Sequence, residues 1–208
     1  MASAPGKPAP SDTPTEPAWD VARLFPDQGQ WSEEEYLGLN VNQLVEFDHG
    51  RIEVLAMPTM SHQLMVAYLY GHLLAYCSAR SAGLVLFAPL RVCVRPGKFR
   101  EPDVVFMQAE HAGRCGEYFW DGADLVMEVV SDDDRRRDLE TKRREYAQAK
   151  IPEYWIVDPL EGRITVLRLD EDRPSYVEHG VFPRGERAAS HLLPGFEVDV
   201  TAALAPRA

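Results

Sequence analysis

Apolar and polar positions change period several times along this chain, and each change marks an element. The segment LVEFDHGRIEVLAM alternates on both sides of His49-Gly50, which predicts a β-hairpin with those two residues in its turn. Before it, WSEEEYLGL pairs Ser32 with Glu35 three residues on, a capping box that predicts a short helix. After it, HQLMVAYLYGHLLAYCSAR carries Leu64, Ala67, Tyr68, Leu74 and Ala75 at helical spacing. This predicts a long helix capped by Ser61, with Gly83 ending the region.

Shorter periods follow. LVLFAPLRVCVRPG reads as a strand or a bent pair of strands stopped by Pro96-Gly97, and EPDVVFM as a further strand. Residues 108–122 read as a polar loop with some short helical structure. DLVMEVV is apolar on both faces, as a central strand is. A helix follows from about Asp134 to Lys150, and Pro152 breaks it. EYWIVD, RITVLRL and SYVEHGVF are strands, and LLPGFEVDV closes the chain. The expected class is α/β: a mixed β-sheet flanked by helices, with additional β-hairpins, around one buried centre.

Composition sets bounds on this picture. The chain has 208 residues, 45% of them hydrophobic, enough for one domain with a sizeable core. Residues 1–18, MASAPGKPAPSDTPTEPA, lack large apolar side chains and are expected to form a disordered tail before a single domain over 19–208. The net charge of -11 argues against non-specific coating of nucleic acid, though not against a local basic patch. Cys77, Cys93 and Cys115 are far apart and odd in number, which disfavours zinc and a disulfide framework. With no membrane-spanning run and no apolar signal segment, a cytoplasmic location is expected.

Three charged residues stand where charge is costly. Asp103 opens a strand behind Pro102, and Glu128 shares a strand face with Val126 and Val130. Lys142 falls on the helical stripe of Arg135, Leu139, Tyr146 and Ala149 that should face the sheet. Burying such groups is unfavourable unless they are paired. If the two strands are neighbours, two carboxylates and an ammonium make a site for a hard divalent cation and a water molecule. Taken singly, each has a plainer role: Asp103 as a turn or cap residue, Glu128 as an arginine partner, Lys142 as a snorkelling side chain. Their order, acid strand, acid strand, lysine helix, favours the site.

Other residues are weaker candidates. Glu46, acidic among Leu44, Val45 and Phe47, is either a further metal or water ligand or a solvent-facing strand residue. His62 at a helix start is either an anion contact or a half-exposed cap residue. The basic run Arg135-Arg136-Arg137, with Lys142, Arg143, Arg144 and Lys150, either meets phosphates or pairs with Asp132 to Asp134, Asp138 and Glu145. Lys98 is the next candidate for a catalytic lysine.

The segments VEFDHGRIEVLAMPTMSH, EPDVVFM, DLVMEVVS and DLETKRREYAQAKIPEYWIVDP resemble the Uma2 family of the PD-(D/E)XK nuclease superfamily. The family's Pro-Asp falls on Pro102-Asp103 and its second acid on Glu128. The superfamily lysine two residues after that acid is here Val130, and a lysine on the following helix, Lys142, stands in its place. Asp138 and Tyr146 also match. The resemblance implies a restriction-endonuclease-like fold, dependence on Mg²⁺ with Mn²⁺ as a substitute, and cleavage of DNA. Asp103, Glu128 and the carbonyl of Val129 would hold the metal, with Lys142 beside it. Nucleic acid is the expected partner, DNA before RNA, with a homodimer left open and no membrane. The alternative is a nucleic-acid-binding or assembly protein that keeps the fold without turnover.

Overall fold

In the computed structural model, the described residues are 25–41, 43–131 and 135–205. The expected tail, residues 1–18, and the onset of the domain at Trp19 lie outside them. The central sheet has six strands in the order β11-β10-β9-β8-β6-β3. These are β3 (Gly83–Phe87), β6 (Val104–Gln108), β8 (Leu125–Val129), β9 (Glu153–Asp158), β10 (Arg163–Leu169) and β11 (Tyr176–Pro183). β8 and β9 run parallel and the other pairs antiparallel, so the sheet is mixed as expected. The parallel pair needs a crossover, which the helix between β8 and β9 supplies.

A second sheet holds β1 (Val45–Asp48), β2 (Arg51–Val54), β4 (Val92–Arg95), β5 (Lys98–Arg100) and β7 (Trp120–Asp121), in the order β2-β1-β5-β4-β7. Its hairpin turns at His49 and Gly50, both with positive φ, the geometry a two-residue turn between twisted strands demands. β12 (Arg187–Ala189) and β13 (Glu197–Asp199) form a small separate pair. The helices are α1 (Glu33–Leu37), α2 (Met60–Arg80), α3 (Arg143–Gln148) and α4 (Val200–Ala203). A 3₁₀ turn occupies Ala109–Arg114, and a π-helical turn, Arg137–Lys142, runs straight into α3. The Ser32–Glu35 capping box opens α1 as expected. Among the described residues no helix is long and apolar enough to cross a membrane, and all three cysteines are free thiols.

Two details of α2 differ from expectation. Its N-cap is Thr59, whose hydroxyl accepts the His62 N–H, so Ser61 lies inside the helix. Its buried stripe is Met65, Val66, Leu69, Leu73 and Cys77, while Leu74 is exposed. Apolar residues occur nearly all round this helix, so spacing alone fits more than one stripe; contact with the sheet selects one.

The core is three clusters rather than one centre. Alternation along β8 sends Leu125, Met127 and Val129 toward α2, and Val126 and Val130 toward α3 with Tyr146 and Ala147. A strand apolar on both faces therefore has a core on each side. The third cluster, Trp31, Tyr36, Val45, Phe47 and Phe99, lies under the hairpin sheet.

Candidate active site

β6 and β8 are antiparallel neighbours with Val104 opposite Met127, so Asp103 and Glu128 face each other one step further along the same register. The condition on which the site depended is met. Asp103 Oδ2 accepts the Val129 N–H at 2.8 Å, so its carboxylate completes the ladder just past the end of β6. Glu128 is buried, and both its oxygens are engaged. Oε1 accepts the Tyr146 hydroxyl at 2.5 Å, and Oε2 lies 2.9 Å from the Lys142 ammonium. Lys142 Nζ also lies 3.1 Å from Asp138 Oδ1. The π-helical turn carries both Asp138 and Lys142 on its buried side, and Tyr146 follows on α3. A π-turn inserts an extra residue into the helical repeat and is often found at functional positions. Val130 packs in the core beneath this helix with Tyr146 and Ala147, and the lysine beside Glu128 comes from the helix.

Electrostatics follow from burial. Desolvation pushes the Glu128 carboxyl up to about 8, against the pull of Lys142 and with the push of Asp103 and Asp138. Burial likewise raises the Asp138 carboxyl. Burial opposes the charged form of Lys142, yet Glu128, Asp138, Glu46 and Asp103 outweigh it and hold the ammonium protonated well above its ordinary range. Desolvation drives the Tyr146 hydroxyl upward as well, so it stays a donor.

His62 lies in the first turn of α2, as expected, and is part-buried against one of the site's own carboxylates. From the first turn of α2 its Nε2 lies 3.2 Å from Asp103 Oδ2 and 3.2 Å from the Val129 carbonyl. Its Nδ1 is buried without a hydrogen-bond partner among the described residues. Burial disfavours the imidazolium, but the hydrogen bond and charge of Asp103 prevail and raise its pKa.

Glu46 is fully buried rather than solvent-facing. Its Oε2 meets Arg100 Nη1 at 2.8 Å and also Arg137, which bridges on to Glu53. Its Oε1 takes the Glu101 N–H at 3.3 Å. Burial works against its charge, but Lys142, Arg100 and Arg137 keep it below the usual range. The network continues through Arg100 Nε to Glu145 at 2.8 Å, and from Glu145 to Lys98 Nζ at 2.5 Å. Lys98 also meets Asp48 at 2.8 Å, so it is bound into the hairpin sheet. Sequence reasoning missed Arg100 and gave Glu145 other partners. The available signal was Lys98 and Arg100 flanking Phe99 on a short strand.

Among the described residues, four members of the basic cluster are engaged in ion pairs: Lys142 meets Asp138, an expected partner, and the others meet partners that were not expected. Arg135 meets Asp158 at 2.5 Å and Arg136 meets Glu140 at 3.0 Å. Glu145 pairs with Arg100 and Lys98, not with its helix neighbours; Asp132 to Asp134 lie outside the described residues.

A cleft of about 600 Å³ opens over Asp103, Glu128, Val129, Asp138, Lys142 and His62. Two carboxylates and a carbonyl are hard oxygen donors of the kind Mg²⁺ or Mn²⁺ takes. No cluster of three or more metal-holding side chains occurs among the described residues. Two carboxylates with water and substrate completing the shell is nonetheless the ordinary Mg²⁺ arrangement. The like charge crowding Glu128 is what a divalent cation would relieve. The donor set fits such an ion.

Comparison with known proteins bears on the family and the fold. The family profile of Uma2, described as "Putative restriction endonuclease", matches residues 26–202. A solved structure of a "putative nuclease belonging to DUF820" from Anabaena variabilis ATCC 29413 superposes with a TM-score of 0.67 at 17% identity. It covers 82% of this chain and 96% of that one, a likeness that shows a restriction-endonuclease-like fold. The type IIG restriction endonuclease BpuSI aligns at TM-score 0.39 and 16% identity, over 64% of this chain and 15% of that one. Among curated proteins none matches this chain.

Proposed function

The chain belongs to the Uma2 family, and from that premise we propose that it is a divalent-metal-dependent nuclease that hydrolyses phosphodiester bonds in DNA. The observation that carries this reading is the meeting of Asp103 and Glu128 on adjacent strands with Lys142 2.9 Å from Glu128. Asp103, Glu128 and the Val129 carbonyl would hold Mg²⁺ or Mn²⁺. A bound divalent ion supplies Lewis acidity toward the phosphate and a lowered pKa for water.

The chain's own residues do the rest. Lys142 is held protonated, so it acts as a fixed positive charge and not as a base. Its ammonium stabilises charge that grows on the phosphate oxygens as the ester bond breaks. Asp138 and Glu128 fix that ammonium from two sides. The Tyr146 hydroxyl orients Glu128 so that its carboxylate faces Lys142 and the cleft. His62 orients Asp103 from the other side.

The test is direct. Purified protein is incubated with single-stranded and duplex DNA and with RNA, in Mg²⁺, Mn²⁺ or EDTA. Cleavage in the divalent ions that EDTA suppresses, and that Asp103→Asn abolishes, is expected. Metal-independent cleavage, or none at all, would falsify the proposal; DNA binding without turnover would instead support the alternative of a binding or assembly protein.

A further inference from the structure

One wall of the cleft is apolar and open to solvent. Val54, Met57 and Leu160 line it and are 54%, 70% and 60% exposed. Met60, 70% exposed, opens α2 beside them, between cleft-lining Thr59 and Ser61. Asp103, Glu128 and Lys142 line the same cleft. Val54 and Met57, at and just after the end of β2, and Leu160, after β9, thus present exposed apolar side chains in the cleft that holds the carboxylates.

The cations near the cleft are tied to carboxylates. Arg135 is held by Asp158, Arg136 by Glu140, Arg137 by Glu46 and Glu53, and Lys142 by Glu128 and Asp138. The chain's net charge is -11. Contacts to the phosphate backbone, in a duplex or a single strand, draw their energy from cations that can neutralise phosphates. Here that source is small, and the surface offered beside the reacting position is apolar.

We infer that this wall is a subsite for an unpaired nucleobase, so that the chain engages single-stranded or locally unpaired DNA in preference to a perfect duplex. Inside a duplex, both faces of a base are covered by its neighbours. An unstacked base has apolar faces free to lie against protein side chains; single-strand binders cover such faces with aromatic rings, and here aliphatic side chains and a thioether would do so. Methionine suits this role, because its polarisable sulfur packs well on aromatic rings and its unbranched chain adapts to any of the four bases. The inference rests on the hydrolytic reading only for the position of the phosphate; the apolar wall stands independently of it.

The experiment uses the full chain and one DNA sequence in three forms: single strand, perfect duplex, and duplex with a bulged base. Binding is followed by fluorescence anisotropy in Ca²⁺, and cleavage in Mn²⁺. Single-stranded and bulged forms should bind at least about tenfold tighter than the duplex, as loss of base stacking contacts typically costs. Met57→Ser with Leu160→Ser should remove about tenfold of that single-strand affinity and change duplex affinity by less than about twofold. Both side chains are largely exposed, so the melting temperature should hold. Met57→Trp, which enlarges the stacking surface, should tighten single-strand binding. Equal affinity for all three forms, a preference that survives the double substitution, or binding to none of them overturns the inference. Single-strand preference without cleavage of any form overturns hydrolysis and leaves the subsite. Cleavage of the duplex as fast as the single strand does the reverse.

Discussion

Lys142 and Glu128 are joined across the two elements that build the site: Nζ on the π-helical turn lies 2.9 Å from Oε2 on the central strand. Both side chains are buried, and Asp138 and Tyr146 complete their partners. The lysine is therefore structural and, on the proposed reading, catalytic. Removing it has two consequences that must be separated. Lys142→Met leaves Glu128 and Asp138 without their shared cation, and breaking a buried pair in this way costs about 3 kcal/mol or more. Adding Asp138→Asn removes one of the stranded carboxylates, and Glu128, already raised to about 8, can keep its proton. The double variant should recover most of the lost melting temperature but stay about 10²-fold slower in cleavage. Recovery of activity together with stability would show that Lys142 serves the fold alone. Arg143→Met is the control: among the described residues Arg143 donates to the Tyr176 carbonyl at 3.4 Å, and turnover should change little.

Metal binding should follow the two acids. Asp103→Asn and Glu128→Gln should each lower Mg²⁺ or Mn²⁺ affinity by about a hundredfold or beyond detection by calorimetry, since each removes a charged ligand from a site with few. Asp103→Asn should fold normally, because the amide oxygen can still accept the Val129 N–H. Unchanged affinity in both variants would rule out the metal assignment.

Glu101 links stability to pH. Its carboxyl is buried, accepts the Val45 N–H, and is pushed up to about 7, chiefly by burial. The native state then holds a proton that the unfolded chain has released between about pH 4.5 and 7. Stability must therefore fall as pH rises through that window, by up to about 3 kcal/mol. Glu101→Gln keeps an acceptor for Val45 and removes the titration. In EDTA, urea unfolding at pH 5 and pH 8 should show a smaller loss for the variant than for the native chain. Parallel losses would mean that Glu101 does not carry the linkage.

The fold was readable where the signal is local. His49-Gly50 marks a turn, Ser32 and Glu35 mark a cap, and the run from Asp124 to Val130 marks a strand covered on both faces. The juxtaposition of Asp103, Glu128 and Lys142 was readable too, since charges on apolar elements stand out. What escaped is long-range or degenerate. Glu46, Arg100 and Glu145 are separated by 54 and 45 residues, and nothing in their immediate neighbours says they will meet. The buried stripe of α2 escaped because that helix is apolar on several sides. The π-turn escaped because one extra residue in a helical repeat leaves no mark in residue propensity.

Glu46 tests the difference between a ligand and a girder. It lies close enough to the site for the Lys142 charge to act on it, yet Arg100, Arg137 and the Glu101 N–H already occupy its carboxylate. Glu46→Gln removes the anion that Arg100 and Arg137 share, leaving them Glu145 and Glu53, and breaking a buried pair costs about 3 kcal/mol or more. The melting temperature should drop clearly. Mg²⁺ affinity measured well below that temperature should stay within about twofold of the native value, because no ligand has been lost. Arg100→Met should mimic the loss of stability, since it takes from Glu46 and Glu145 the buried cation they share. If Glu46→Gln instead weakens metal binding as strongly as Asp103→Asn, and Arg100→Met does not, then Glu46 is a third ligand and its arginines are what the metal displaces.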